Sequence, residues 1–377
     1  MDKSQDAPDL VDKELTDRDL PLDCKITVNG IELSRRPQPH RPGKKAWRLA
    51  KSWDDRECDL FHSYQQYMLS PFFELKKDEV EFHDIDDETP LPFTEVAPCS
   101  KQGHHGRVFR VKIHPSHHGR SDNPSFAVKH ILSVDGKDFK DEVKAWRKSG
   151  NTTRHPHLID LLATCRKGPQ DCYLLSDWAE GGNLRDYWFC HPNPQPDISL
   201  VRWIAQQSLG LAQALKQIHR SDSSLSDISE RDYGIHSDIK PENMLLFKKP
   251  PGTPGTLVIC DFGFTRFHSK ESRSRAAHIG GTDTYRAPEA EFRPISRVYD
   301  VWALGCLFLE FITWYLTGYN GVQHDFTDRR IGGDTGQLMK TDKFFNNGPE
   351  GQAVKPCVRE WIQHLRSLEH CRRIAAK

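Results

Sequence analysis

The chain has no net charge: across 377 residues, 53 lysines and arginines balance 53 aspartates and glutamates. No bulk field therefore draws it to nucleic acid or to a lipid surface, and neither is expected as a partner. It has no apolar run at its start, because Met1-Asp2-Lys3-Ser4 opens a polar, acidic stretch without a signal-peptide core. The most apolar stretch, Val301 to Tyr319, carries Glu310 at its centre and two glycines, which predicts a buried core helix and not a membrane span. No CxxC pair occurs among the ten cysteines, and Cys260 and Cys306 sit in apolar runs where a free thiol acts as a small hydrophobe. Reduced thiols in an intracellular compartment, cytoplasmic or nuclear, are the expectation. His104, His105, His114, His117 and His118 crowd one region without helical ligand spacing or a cysteine partner, so no metal is expected there.

With 36% apolar and 28% charged residues, the composition is that of a soluble globular chain with polar segments attached, long enough for one large domain or two. Residues 1–34 carry nine acids and four bases and read as a disordered tail. Residues 35–51 reverse the sign, with Arg35, Arg36, Arg41, Lys44, Lys45, Arg48 and Lys51, no acid and three prolines. A solvated basic linker is the plainer reading of that run, and a nuclear-import or acidic-partner patch the sharper one. Ser52-Trp53-Asp54-Asp55 resembles a capping box, and Leu60, Tyr64, Tyr67 and Met68 follow at helical spacing, predicting a helix that ends near Ser70-Pro71. Residues 52–91 thus form an N-terminal helix and an acidic linker, and the folded domain is expected from Pro92 to the end.

Lys101-Gln-Gly103-His-His-Gly106 holds two of the three glycines of a phosphate-binding loop. Phe109, Val111 and Ile113 then alternate with Arg110 and Lys112, so the loop runs into a strand. A strand–loop–strand hairpin lets backbone N–H groups close over a polyphosphate without Cβ obstruction. In a second strand, Phe126-Ala127-Val128-Lys129, the lysine ends an apolar run. A lone lysine there is ordinarily solvated; its functional reading needs an anion. Phe139, Val143 and Trp146 define the inward stripe of a helix, with Glu142 at its border. A Lys129–Glu142 pair would hold the ammonium against two phosphates of a nucleotide.

Strand, glycine loop, Ala-Val-Lys and helix glutamate resemble the small lobe of a eukaryotic protein kinase. His236-Ser237-Asp238-Ile239-Lys240-Pro241-Glu242-Asn243 resembles that family's catalytic loop, and Asp261-Phe262-Gly263 its metal-binding turn. Ala287-Pro288-Glu289 resembles the end of the activation segment, and Asp300-Val301-Trp302 with Gly305 the anchor helix of the large lobe. Surrounding features, including Arg154-His155-Pro156-His157, resemble fungal Ser/Thr kinases. The resemblance implies an α+β, bilobal fold: a small antiparallel-sheet lobe with one helix over about residues 92–178, and a mainly helical large lobe over about 179–377.

It also implies ATP and Mg²⁺ as cofactors and a protein as substrate. Asp238 would accept the proton of the incoming hydroxyl, Lys240 would offset charge on the transferring group, and Asn243 and Asp261 would hold the metal. Thr282 matches the threonine that bonds the catalytic Asp and Lys. Gly103, Gly106, Val108, Ala127, Lys129 and Glu142 would surround the nucleotide. Tyr173 to Ala179 resembles the fifth strand and hinge, with Ser176 as gatekeeper and the backbones of Asp177 and Ala179 toward adenine. Lysine two places after the Asp resembles the Ser/Thr class. Ile204, Leu211, Leu215 and Ile218 predict the buried stripe of a long helix ahead of the catalytic loop, and the polar insert from Ser221 to Tyr233 reads as a surface loop.

Three positions depart from the family pattern. Lys101 replaces the first loop glycine. Ser237 replaces the arginine of His-Arg-Asp, so activity is expected to be independent of phosphorylation at Thr265, Ser269, Ser272 or Ser274. The Leu-x-x-Asp-Pro run and its following arginine are missing before Lys377, so Glu289 is expected to lack its partner, the last helices to be absent and the anchor helix to expose apolar surface. These departures keep open a pseudokinase that binds without transferring phosphate. A small-molecule kinase is the other alternative, disfavoured by the Ala-Pro-Glu segment. Oligomeric state is not readable from the sequence.

Overall fold

The structure, a computed structural model, describes residues 20–28, 30–35, 46–49, 54–76, 80–99, 106–132, 136–150, 154–195, 197–220, 233–248, 254–268, 282–292, 295–333, 340–348 and 351–368. Its contacts divide the chain into a smaller unit, residues 1–134 with 162–175, and a larger one, residues 135–161 with 176–377.

Residues 20–28 and 30–35 depart from the disordered tail expected over residues 1–34, while residues 1–19 lie outside the described residues. Strands β1 (Leu22–Thr27), β2 (Gly30–Arg35) and β3 (Ala46–Leu49) form an antiparallel sheet in that order. Acids and bases hide them in the sequence, yet β1 and β2 pair Lys25 with Glu32 directly across the ladder, where opposite charges are favourable. Helix α1 (Asp55–Met68) follows. Its capping box lies two residues later than Ser52 would place it: Asp54 Oδ1 accepts from Glu57 N and Asp54 N donates to Glu57 Oε2, both at 2.9 Å.

The apolar stripe of α1 faces outward, with Tyr64, Tyr67 and Met68 64–70% exposed. Its inner face is polar. Gln65 accepts from Leu22 N and donates to Leu22 O, each at 2.8 Å, as a neighbouring strand would. Gln66 accepts from Thr89 Oγ1 at 2.8 Å. Gln65→Ala leaves two buried backbone groups of Leu22 unpaired and is expected to cost about 1–3 kcal/mol. Hydrogen exchange at Leu22 should then quicken by a factor of ten or more, roughly what that energy implies; unchanged exchange would show that the side chain does not hold the strand.

A domain start at Pro92 is likewise too late. Strand β4 (Glu81–Ile85) joins the six-stranded sheet of the smaller unit, ordered β4-β8-β9-β7-β6-β5. The other strands are β5 (Phe93–Pro98), β6 (Arg107–Ile113), β7 (Ser125–Leu132), β8 (Leu161–Lys167) and β9 (Asp171–Asp177). Because β4 runs parallel to β8, the sheet is mixed and not wholly antiparallel. At that edge Asp84 bridges to Arg166 through Nε at 2.9 Å and through Nη2. One face buries Val111, Ile113, Phe126, Val128, Leu162 and Leu175 with Phe73 and Leu75 from the N-terminal segment. Burial pushes the Cys165 thiol up to about 12, so it packs as an inert hydrophobe.

The larger unit is mainly helical, so the fold class is α+β. Helix α2 (Lys137–Gly150) belongs to this unit, not to the sheet, which departs from a division near residue 178. It is followed by α3 (Leu184–Cys190) and α4 (Ile198–Ile218). Short strands come next: β10 (Tyr233–Ile235), β11 (Met244–Phe247), β12 (Thr256–Ile259) and β13 (Arg266–His268). Helix α5 (Arg297–Asn320) runs through the core, burying Leu307, Phe311 and Trp314 among Trp188, Leu211 and Leu215. The stretch Arg297–Gly332 is long and apolar enough to cross a bilayer, yet Asp300 and Glu310 are at most 1% exposed inside this unit. Val298, Val301 and Ile312 are exposed on α5. Helix α6 (Thr327–Gly332), strands β14 (Phe345–Gly348) and β15 (Gly351–Val354), and α7 (Pro356–Ser367) follow; Trp361 of α7 stacks on Phe326 at 5.3 Å.

Candidate active site

The long helix α4 ends at His219, whose Nε2 lies 2.8 Å from Asp300 Oδ2. The same buried carboxylate accepts the backbone N–H groups of His236 and Ser237, both at 2.8 Å. Three donors on one carboxylate hold the chain where it turns sharply: Ser237 has φ +71°, a left-handed conformation that a non-glycine residue keeps only when its surroundings over-determine it. One residue further on, Asp238 is 4% exposed.

Both oxygens of the Asp238 carboxylate are engaged, Oδ2 from its own loop and Oδ1 from a distant segment. Lys240 Nζ is 2.7 Å from Oδ2. Asn243 Nδ2 donates to Oδ2 at 2.9 Å and to the Asp238 carbonyl at 2.8 Å. Thr282 donates to Oδ1 through its N–H at 3.2 Å and its hydroxyl at 3.4 Å, while Lys240 Nζ donates to the Thr282 hydroxyl at 2.9 Å. Asp238, Lys240, Asn243 and Thr282 are thus one hydrogen-bonded cluster. It is drawn from a loop and from a segment 44 residues downstream.

Asp261 arrives by a hairpin. Strands β11 and β12 pair Met244 with Ile259, and Cys260 N donates to Asn243 O at 3.0 Å, so Asp261 leaves β12 beside Asn243. It too is left-handed, φ +67°, and caps Gly263 N at 3.4 Å. Phe262 is buried, its ring edge-on to His236 at 5.6 Å, and the His236 ring reaches Cys260 O at 3.0 Å. Helix α2, with Glu142 buried, packs against the Phe262–Phe264 turn. Among the described residues no group of three His, Cys, Asp or Glu side chains forms a metal cage. One amide and one carboxylate suit Mg²⁺, which is ordinarily held by one or two protein oxygens with substrate phosphates completing the shell.

The remaining residues divide between the units. Gly103 and Lys101 lie outside the described residues. Gly106 has φ +138°, and a Cβ there would stand 2.3 Å from His130 O, so only glycine fits at this turn. In the β6–β7 register Val108 faces Lys129 and Arg110 faces Ala127, which places Val108, Ala127 and Lys129 on one face of the hairpin. Glu142, Ser176, Asp177 and Ala179 belong to the larger unit; Ala179 O accepts from Gly182 N at 3.1 Å.

Beside this cluster lies a second one that the motifs do not announce. Arg185 on α3 donates through Nε to Glu242 Oε1 at 3.0 Å, and through Nη2 to Tyr285 OH at 2.7 Å and Glu310 Oε2 at 3.3 Å. Tyr285 OH donates to Glu310 Oε2 at 2.7 Å. On the other side of Glu310, Arg330 Nη2 donates to Oε1 at 3.2 Å, with both residues 1% exposed. The Arg330 guanidinium lies 4.3 Å from the ring centres of Phe326 and Phe344. Burial disfavours charge on Arg185, but Tyr285, Glu310 and Glu242 outweigh it and hold its pKa above the usual range; burial pushes the Tyr285 phenol up. One signal was available in the sequence: Arg185 is the single cation of the helix Leu184–Cys190, beside one aspartate and three aromatic residues.

Of the departures, Ser237 is buried and donates weakly to Ile235 O at 3.5 Å. Thr265 is buried with its hydroxyl unpaired among the described residues; Ser269, Ser272 and Ser274 lie outside them, as do residues 221–232 of the polar insert. Glu289 Oε1 and Arg330 Nη1 are each buried without a hydrogen-bond partner among the described residues, while Arg330 Nη2 donates to Glu310.

Residues 102–377 match the protein kinase domain family. Relatives include a probable L-type lectin-domain containing receptor kinase of Arabidopsis thaliana, 30% identical over 49% of this chain and 25% of that protein. Cyclin-dependent kinase 8 of Caenorhabditis elegans is 28% identical over 56% of this chain and 35% of its own length. The cAMP-dependent protein kinase type 3 of Saccharomyces cerevisiae is 24% identical over 78% of this chain and 66% of its own. The chain therefore spans about a quarter to a third of the first two relatives.

Proposed function

The chain belongs to the protein kinase family, and on that premise we propose that it transfers the γ-phosphate of ATP to serine or threonine hydroxyls of a protein. The observation that carries this reading is the bonding around Asp238, which leaves its carboxylate anchored from three sides by donors 2.7–3.4 Å away. A loose phosphoryl-transfer transition state asks the protein mainly to position groups and neutralise charge. Asp238 takes the proton of the attacking hydroxyl as its oxygen bonds to the γ-phosphorus and the bond to the β-phosphate oxygen breaks. Lys240, already within reach of Asp238 and Thr282, offsets charge on the moving group. Asn243 and Asp261 would hold Mg²⁺, which would neutralise phosphate charge. Within the smaller unit, Val108, Ala127 and Lys129 share one face of the β6–β7 hairpin.

The test is incubation of the purified chain with labelled ATP, Mg²⁺ and a generic basic protein, followed by phosphoamino-acid analysis. Phosphoserine or phosphothreonine is expected; label in phosphotyrosine alone, or none on protein, overturns the reading. One observation favours a rival, a binding module without transfer: the buried Glu289 oxygen with no partner among the described residues loosens the segment that would support a peptide. Under that rival the chain gains thermal stability with Mg·ATP yet labels no protein.

A further inference from the structure

The carboxylate of Asp238 is held by two arms that come from distant parts of the chain. One is the turn bearing Asn243; the other is the segment that begins at Thr282. Each arm is short. The first is a single 3₁₀ turn, Pro241–Asn243, and the second a single 3₁₀ turn, Asp283–Tyr285. Short turns of this kind have poorer hydrogen-bond geometry than α-helix and need outside support.

Arg185 touches both arms. Its Nε binds Glu242, the residue next to Asn243, and its Nη2 binds Tyr285, three residues after Thr282. The guanidinium is planar and its donors are fixed in a fork, so gripping Glu242 and Tyr285 together sets the spacing between the two turns. Glu310 on α5 fixes the far side of the clasp, accepting from both Arg185 and Tyr285, and Arg330 fixes Glu310 in turn. The arms that meet at Asp238 are therefore joined a second time, on the buried side, through a chain anchored in the core helix.

We propose that Arg185, acting with Tyr285 and Glu310, is a positioning residue for Asp238: it sets the separation of the Asn243 and Thr282 turns and so the orientation of the carboxylate they hold. The proposal rests on the phosphoryl-transfer reading for its consequence and on the geometry alone for its structural content. A displacement of about 1 Å in a reacting group is enough to cost on the order of a hundredfold in rate. Arg185→Met, which removes the fork but keeps the stem packed, is expected to lower kcat by about 10–100-fold, with the KM for ATP within about twofold of the parent. Tyr285→Phe removes one hydroxyl and nothing else. It is expected to lower kcat by about 3–10-fold and secures the test if Arg185→Met folds poorly. Arg185→Lys, which offers one ammonium in place of the fork, should not restore the rate.

A second readout separates the clasp from the reaction. Without nucleotide, hydrogen exchange over residues 238–246 and 282–286 should quicken in both variants while exchange within α4 stays at the parent's level. Exchange in those two segments unchanged from the parent overturns the proposal, and so does quickened exchange with an unaltered kcat. If the parent itself transfers no phosphate, the kinase reading fails, and the exchange result alone decides whether the clasp exists.

Discussion

Asp238→Asn is expected to lower kcat by about 10²–10⁴-fold, the usual contribution of a positioned general base. The substitution keeps the size of the side chain and an oxygen able to accept from Thr282. It removes the basicity, and it turns one acceptor into an amide donor facing the Lys240 ammonium and the Asn243 amide, which lie 2.7 and 2.9 Å from Oδ2. A loss confined to kcat, with the KM for ATP within a few-fold, is the signature of an interaction made in the transition state. Far-ultraviolet circular dichroism matching the parent would show that the fold persists, since Asp300, not Asp238, holds the backbone of this loop. A rate within threefold of the parent would remove Asp238 from the chemistry.

The largest loss of stability is expected at Glu310. Its carboxylate is 1% exposed and receives Arg330, Arg185 and the Tyr285 hydroxyl. Glu310→Leu leaves the Arg330 guanidinium buried between two phenylalanine rings with no carboxylate, and removing one partner of a buried pair costs about 3–5 kcal/mol. Urea unfolding, with the change read from the midpoint at constant slope, measures it. Adding Arg330→Met should recover part of the loss, because apolar groups of similar volume replace a buried pair at little cost. A Glu310→Leu change below about 1 kcal/mol would mean that the pair is effectively solvated, as an exposed one is.

The loop around Asp238 was legible because the phosphoryl transfer proposed for it needs several polar residues within a few positions of one another. Asp238, Lys240 and Asn243 span six residues, and the strand Thr256–Ile259 delivers Asp261 just where an apolar run ends. Contacts of long range left no such trace. Arg185 meets Glu242 across 57 positions and Glu310 across 125, and nothing local in the sequence points from one to the other. At α1 periodicity located the helix, Asp55–Met68, but not the side that packs. Leu60, Tyr64, Tyr67 and Met68 define a real apolar face, but period tells only that a helix has such a face, not which way it turns. Here the decisive contacts belong to Gln65 and Gln66, which satisfy the backbone of Leu22 and the hydroxyl of Thr89. The N-terminal strands escaped for a similar reason: their charges suggest solvent, while antiparallel pairing places Lys25 opposite Glu32.

The convergence of Asn243 and Asp261 beside Asp238 is tested most directly by Mn²⁺ titration in the presence of ATP, followed by electron paramagnetic resonance. The parent and Asp238→Asn should take up Mn·ATP with similar affinity, while Asn243→Ala and Asp261→Asn should bind it at least about tenfold more weakly, the loss expected for one polar contact to a charged group. Equal uptake by all four proteins, or none by the parent, would contradict the account.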